Sequence, residues 1–357
     1  MSRFLIYGAS GYTGRLVAER VAALGLGAVL AGRSEAAVRA VAEPLGLPWK
    51  VAPLDDPRAL DRLLDGVGAV LHCAGPFVAT SRPMADACLR ARTHYLDITG
   101  EVAVFEALAA RDAEARAAGV VLLPGVGFDV VPTDCLAAHL TRRLPTAKHL
   151  TLAFRVGGGM SRGTAATAAL SAGAQTLVRR DGDLVPLPGG ILTRRIDFGD
   201  GHGPRVAATI TWGDLATAYR TTGIPNIETY MAVNERQLQG MALAHARPVA
   251  RLLATAPARA IVRRLARRAP AGPAPEARAR SHSYVWGQAR DTRATLGATV
   301  TARLRAPNAY TLTVHAAVAA VRKVLLGECR PGFLTPALAF GADFVLELDG
   351  VAREDVG

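Results

Sequence analysis

Gly8-Ala9-Ser10-Gly11-Tyr12-Thr13-Gly14 is the stretch on which the fold turns. It follows a short apolar run at 4–7 and opens an amphipathic one at 12–24, so it reads as the turn from a first strand into a first helix. Glycines at such a turn let the backbone bend sharply and approach a pyrophosphate, whose charge is met by N–H groups at the helix N-terminus. The spacing is GxxGxxG, not the stricter GxGxxG, so the flanking strand and helix carry the reading of a dinucleotide site. A purely structural tight turn is the plainer alternative.

Outward from that turn, strands are expected at 4–7, 28–32, 49–52, 69–73, 94–97 and 120–123. Helices near 12–24, 35–45, 57–64, 82–92 and 102–118 alternate with them. This β-α-β order predicts an α/β class with a doubly wound parallel Rossmann sheet. From 148 onward the strands lengthen and alternate, at 148–156, 206–212, 227–233, 281–290 and 295–305, which predicts a second, α+β domain. A helix at 163–177, a Gly/Pro-rich excursion at 181–204, a helical stretch at 235–268 and a loop at 269–275 lie between them, and a last helix is expected at 308–326. The expected division is 1–145 for cofactor, 146–307 for substrate and dimerisation, and 308–357 as C-terminal helices returning to the Rossmann domain.

The end of the second strand selects the dinucleotide. NAD binders usually place a carboxylate there for the ribose 2′-hydroxyl, whereas this chain has Gly32-Arg33-Ser34. The Arg33 guanidinium can pair with a 2′-phosphate and Ser34 can add a hydrogen bond, so NADP(H) is expected. Asp55, after the third strand, is a candidate adenine neighbour or a plain surface acid. The fourth strand ends in His72-Cys73-Ala74-Gly75-Pro76-Phe77, a small-residue shelf suited to the nicotinamide ribose; Cys73 is not offered as a nucleophile. Tyr95-Leu96-Asp97-Ile98-Thr99-Gly100-Glu101 and Pro124-Gly125-Val126-Gly127-Phe128-Asp129 end the next two strands. They bring Asp97, Thr99, Glu101 and Asp129 to the ligand edge as candidates for orienting substrate or relaying a proton; helix caps and loop anchors are the competing uses.

These motifs, GASGYTG, AGRS, HCAGPF, YLDITGE and PGVGFDVVPTD, together with Gly332-Phe333-Leu334-Thr335-Pro336-Ala337, resemble those of the saccharopine dehydrogenase-like oxidoreductases, and within them the trans-acting enoyl reductase branch. The resemblance is dense over 1–140, thin through 180–305, and returns near 308–345. It implies an NADP-binding Rossmann domain, a substrate domain inserted before the last helices, and hydride transfer. By position, Gly8, Ser10, Gly11, Tyr12, Thr13 and Gly14 would hold the pyrophosphate, Arg33 and Ser34 the 2′-phosphate, and Ala74, Gly75 and Pro76 would flank the nicotinamide. His72 departs from the pattern, which has a small polar residue such as Asn. The branch implies reduction of an activated C=C in a lipid or polyketide-like acyl substrate, free or carrier-bound. Reduction of C=N, using an arginine such as Arg155, Arg162 or Arg220 for a substrate carboxylate, and a silent NADP-binding adaptor stay open.

Composition sets further bounds. The 357 residues carry a net charge of +12 from 39 arginines, three lysines and 30 acids. That charge reads either as a coding bias or as an affinity for anions. The segment Arg259–Arg268 would form a basic amphipathic helix for an anionic membrane surface or an acyl carrier, or simply a solvated face; without aromatic or zinc modules, nucleic acid is not expected. No run approaches the ~18 apolar residues of a membrane helix, and no leader precedes the first strand, so a cytoplasmic protein, alone or as a homodimer, is expected. The four cysteines form no CxxC, and Cys135 with His139 lack further ligands, so reduced thiols and no metal are expected. No tyrosine has lysine four residues on, which excludes the usual short-chain dehydrogenase mechanism. Gly159-Met160-Ser161-Arg162-Gly163 matches the GxSxG elbow of hydrolases but lacks indicated partners; Ser161 is instead a candidate for binding a substrate oxygen or phosphate.

Overall fold

The computed structural model describes residues 3–159, 161–165, 173–253, 255–266, 268–291 and 297–356. The chain divides into two compact units, Met1–Val131 with Tyr310–Phe344, and Pro132–Ala309 with Val345–Gly357.

The first unit is built on a seven-stranded sheet. β1 (Arg3–Tyr7), β2 (Ala28–Gly32), β3 (Trp49–Val51), β4 (Val67–His72), β5 (His94–Asp97), β6 (Val121–Leu123) and β15 (Gly332–Phe333) pair in the order β15-β6-β5-β4-β1-β2-β3. Every pairing is parallel. Crossover helices cover both faces of such a sheet, so its central strands read as continuous apolar runs; all five residues of β2 are buried. The order reverses between β1 and β4, which is where doubly wound sheets open a crevice for ligands.

The helices are α1 (Tyr12–Ala23), α2 (Glu35–Ala42), α3 (Pro57–Leu64), α4 (Phe77–Ala91), α5 (Val102–Ala109) and α6 (Asp112–Ala118). α3 starts where Asp56 accepts the Ala59 N–H at 3.0 Å, with Pro57 at its first position. Two differences from expectation arise here. The helix expected at 82–92 begins at Phe77, because Pro83 sits within its first two turns and does not interrupt it. The single helix expected at 102–118 is two, broken at Ala110–Arg111.

The second unit holds a mixed sheet. β7 (His149–Val156), β10 (Thr193–Ile196), β11 (Arg205–Thr209), β12 (Asn226–Ala232), β13 (His282–Arg290), β14 (Thr299–Pro307) and β16 (Ala352–Val356) run in the order β10-β11-β12-β7-β13-β14-β16. Only β12 and β7 are parallel; the other neighbours are antiparallel. β8 (Leu177–Arg180) and β9 (Asp183–Pro186) form a hairpin attached through β12. The expected irregular excursion at 181–204 therefore contains two strands, and the helix expected at 163–177 gives way to β8 by Leu177; its middle, 166–172, lies outside the described residues.

The domain limits also differ from expectation. α7 (Val131–Arg143) falls almost wholly in the second unit, where Leu136 and Leu140 pack so closely on β13 that a Cβ on Gly287 would lie 2.7 Å from Leu140. Of the C-terminal segment, helix Ala309–Leu325 lies with the first unit, whereas β16 completes the second sheet beside β14.

Candidate functional site

β1 delivers the glycine turn to the sheet edge. Gly8 adopts φ 87°, and its N–H donates to the Ala31 carbonyl at 2.8 Å, tying the turn to β2. A Cβ on Gly8 would lie 2.8 Å from the Ala74 nitrogen, and one on Gly14 would lie 2.9 Å from the Ala9 Cα and strike the Gly8 carbonyl. The glycines thus let the exits of β1 and β4 touch and let α1 start directly beneath the turn. Gly11 caps α1 without any side-chain hydrogen bond, and α1 has no acidic residue in its first turn, which leaves its positive end suited to a phosphate. Ser10 and Gly11 are exposed at this edge, and Tyr12 stacks edge-on against Tyr310 at 5.0 Å.

Arg33 and Ser34 follow β2 and are both exposed; Ser34 precedes α2 and makes no capping bond. The Tyr7 hydroxyl donates to the Ala52 carbonyl at 2.8 Å. Burial pushes that hydroxyl up to about 12, Arg33 pulls it down and Asp55 pushes it up, so both charges lie around the same phenol at the ends of β2 and β3. Residues 8–14 with Arg33 and Ser34 therefore fit NADP: a cradle that any side chain would fill, with a cation where the 2′-phosphate would fall.

The shelf after β4 is braced from behind. Gly75–Pro76 is a cis peptide, and Gly75 is exposed. The Thr80 hydroxyl lies 2.6 Å from the Ala74 carbonyl and 3.1 Å from that of Pro76, and His72 Nε2 lies 3.0 Å from the same hydroxyl. His72 is fully buried among Tyr7, Phe77 and Tyr95, and burial drives its imidazole down to about 3, so it is neutral. Its Nδ1 has no hydrogen-bond partner among the described residues. Cys73 is pushed up to about 12 by burial and by Asp97, which leaves it a thiol. None of the four cysteines, all among the described residues, forms a disulfide.

The carboxylates separate by role. Asp97 is fully buried: Oδ2 accepts from the Tyr95 hydroxyl at 2.6 Å, and Oδ1 accepts from the Thr99 and Gly125 N–H groups, both at 3.0 Å. It clamps the β5 and β6 exits together, and burial holds it up at about 6. Thr99 is buried too, with its hydroxyl accepting the Glu101 N–H at 3.1 Å. Glu101 accepts from Phe77 N at 2.9 Å and Val78 N at 2.8 Å, occupying the N-terminus of α4. Asp129 is half-buried against Gly100, where a Cβ would lie 2.9 Å from its Oδ2. Burial, and then Glu101, push Asp129 up to about 7, so it exchanges its proton within the neutral range. Thr313 supports this loop from helix Ala309–Leu325 by accepting the Phe128 N–H at 2.9 Å.

Tyr7 and Thr313 escape the sequence reading because they act through space on Ala52 and Phe128, far along the chain. Thr80, four residues after Pro76, acts on its own shelf, and both it and Tyr7, which directly precedes Gly8, stood beside a motif.

In the second unit the arginines considered for a substrate carboxylate are engaged. Arg155 pairs with Asp200 at 3.0 Å, Arg162 Nε donates to the Ala269 carbonyl at 3.0 Å, and Arg220 has a partner in the fold. Ser161 is buried and accepts the Thr164 N–H at 3.2 Å; Met160 of the same GxSxG run lies outside the described residues. His139 pairs with Asp355 at 2.7 Å, leaving Cys135 buried beneath it on α7. Among the described residues no helix is long and apolar enough to cross a membrane.

The comparisons agree with this geometry. Residues 4–123 match the saccharopine dehydrogenase NADP-binding domain. A trans-acting enoyl reductase of Mycobacterium ulcerans (strain Agy99) is 32% identical over 147 residues, covering 39% of this chain and 35% of the relative. A saccharopine dehydrogenase-like oxidoreductase of Mus musculus is 31% identical over 150 residues, covering 36% of this chain and 35% of the relative. The chain thus spans about a third of the length of these curated relatives. Saccharopine dehydrogenase (L-Glu forming) of Saccharomyces cerevisiae shares the fold over 100% of both chains, with a TM-score of 0.64 and 15% identity. The glycine cradle, the arginine after β2 and these matches together make residues 4–123 a domain similar to the saccharopine dehydrogenase NADP-binding domain.

Proposed function

We propose that this protein is an NADPH-dependent reductase that saturates an activated C=C in a lipid or polyketide-like acyl substrate. The observation that carries the reading is the contact of the β1 and β4 exits through Gly8 and Ala74, one strand from an exposed Arg33. NADPH, when bound, supplies hydride to an electrophilic carbon. In this reading the α1 N-terminus and residues 8–14 hold the pyrophosphate, Arg33 and Ser34 bind the 2′-phosphate, and Asp55 borders the adenine. Cys73, Ala74, Gly75 and Pro76 form the surface under the nicotinamide side, kept in shape by Thr80 and neutral His72.

Reduction of a polarised double bond also needs one proton on the neighbouring carbon. Asp129 is the group suited to give it, because its raised affinity keeps a transferable proton near neutral pH. Asp97, Thr99 and Glu101 act one step behind it: their polar atoms are spent on holding the β5 and β6 loops and the start of α4. The engaged state of Arg155, Arg162 and Arg220 leaves the C=N alternative without a ready carboxylate clamp.

The test is NADPH oxidation at 340 nm with panels of enoyl thioesters and of 2-oxo acid plus amine pairs. Turnover with enoyl thioesters alone supports the proposal. Turnover with the amine pairs alone replaces it with imine reduction, and NADPH binding without turnover replaces it with an adaptor.

A further inference from the structure

Residues 235–268 contain eight arginines, one glutamate, no lysine, no aspartate and no aromatic residue. They form three successive helices, Glu235–His245, Arg247–Leu253 and Ala256–Ala266. The first is anchored to the body of the second unit. Asn234 and Gln237 form a reciprocal capping box, and His245 Nε2 lies 2.9 Å from the Thr176 hydroxyl while its ring packs over Gly190. Leu238 and His245 thereby face Gly189 and Ile191.

Other side chains of these helices point away from the protein. Leu252, Leu243 and Ile261 are the three most exposed large aliphatics among the described residues, at 63%, 62% and 61%, and Leu265 is 57% exposed. Ile261 and Leu265 stand one helical turn apart and so share a face. Neither of the first two helices fully buries any residue. Arg247, Arg251 and Arg264 are exposed on the same three helices, and exposed Arg268 follows the last. The side chains of Arg259 and Arg263, and Arg267 as a whole, lie outside the described residues.

We propose that helices 235–266 seat the protein on an anionic phospholipid surface. Aliphatic side chains presented to solvent gain from insertion at the headgroup boundary, and arginines beside them gain from lipid phosphate and surface charge. Charge alone would suit a nucleic acid, but the projecting leucines and isoleucine would find nothing to bury against on a phosphate backbone, and no aromatic ring is present to stack on bases. An acidic acyl carrier would meet the same arginines, and its binding is therefore measured alongside that of vesicles. The proposal does not depend on the reductase reading, since its readout is binding.

The full chain is sedimented with vesicles of phosphatidylcholine alone or mixed with phosphatidylglycerol. Association with the anionic vesicles is expected, weakening as salt shortens the Debye length and falling by about fivefold for each of Arg247→Gln, Arg251→Gln and Arg264→Gln. The pair Ile261→Asn and Leu265→Asn should reduce it by about tenfold or more at constant charge. Leu243→Asn with Leu252→Asn repeats the apolar test on the other two helices. Absence of binding, equal binding to neutral vesicles, or binding that ignores both apolar pairs overturns the proposal. Binding to an acidic acyl carrier protein without binding to vesicles would assign the face to a protein instead.

Discussion

Replacing Asp97 by asparagine separates a structural clamp from a proton relay. The carboxyl is fully buried, and its affinity for a proton rises from an ordinary 3.8 to about 6 in the fold. A shift of about two units corresponds to about 3 kcal/mol. Because the folded value lies above the unfolded one, this stability is fully present below pH 3.8 and is lost as pH rises through about 6. Asparagine reproduces the neutral acid: Oδ1 keeps the N–H donors of Thr99 and Gly125, and Nδ2 donates to the Tyr95 hydroxyl as the acid's O–H would. Asp97→Asn should therefore match the parent near pH 4 and exceed it by about 3 kcal/mol at pH 7. Asp97→Ala leaves those three donors unpaired in a dry site, at about 1–3 kcal/mol each, and should be strongly destabilised at both pH values. The assay is urea unfolding at a series of pH values with Trp212 and Trp286 replaced by Phe, so that Trp49 reports on the first unit alone. A difference between parent and Asp97→Asn that does not change with pH would refute the account of burial. A folded Asp97→Asn with turnover lowered 100-fold or more would refute the clamp and make Asp97 part of the proton path.

Arg33→Ala should raise the Kd for NADPH by about 10- to 100-fold, the worth of a charge-assisted pair, and leave that for NADH unchanged, as read by nicotinamide fluorescence. Asp129→Asn should lower kcat by about 10²–10⁴-fold and remove the fall in kcat that the parent shows as pH rises through about 7, where its acid form is lost. Gly14→Ala forces a Cβ into the backbone of Gly8 and Ala9; thermal unfolding should report a loss of about 1–3 kcal/mol, and calorimetry no association with NADPH. In NMR titration His72 should stay neutral from pH 8 to pH 4, since its depressed affinity contributes stability above an ordinary value of 6.5 that is lost as pH falls towards about 3. An imidazole that titrates near 6.5 would show that its site is wet.

The amino-terminal sheet was legible in the chain itself. Parallel strands buried on both faces need unbroken apolar runs, and crossover helices need their own period, so the alternation from Arg3 to Leu123 identified the Rossmann sheet and placed its glycine turn. The Gly-Arg-Ser after β2 carried the expectation of NADP because the chemistry there is local, and residues 4–123 match an NADP-binding domain. Antiparallel strands around short turns are weaker signals: β9 and β10 hid inside a Gly/Pro-rich stretch, β8 lay between it and an expected helix, and β16 pairs with a strand some fifty residues earlier. Tertiary structure alone decided which carboxylates are spent. Asp97 and Glu101 look alike in one dimension, but the N–H groups of Thr99 and Gly125 engage the one and those of Phe77 and Val78 the other, from separate loops. Burial, and then Glu101, raise the proton affinity of Asp129 to about 7, because the free energy of a charge depends on what surrounds it in space and not on its neighbours along the chain.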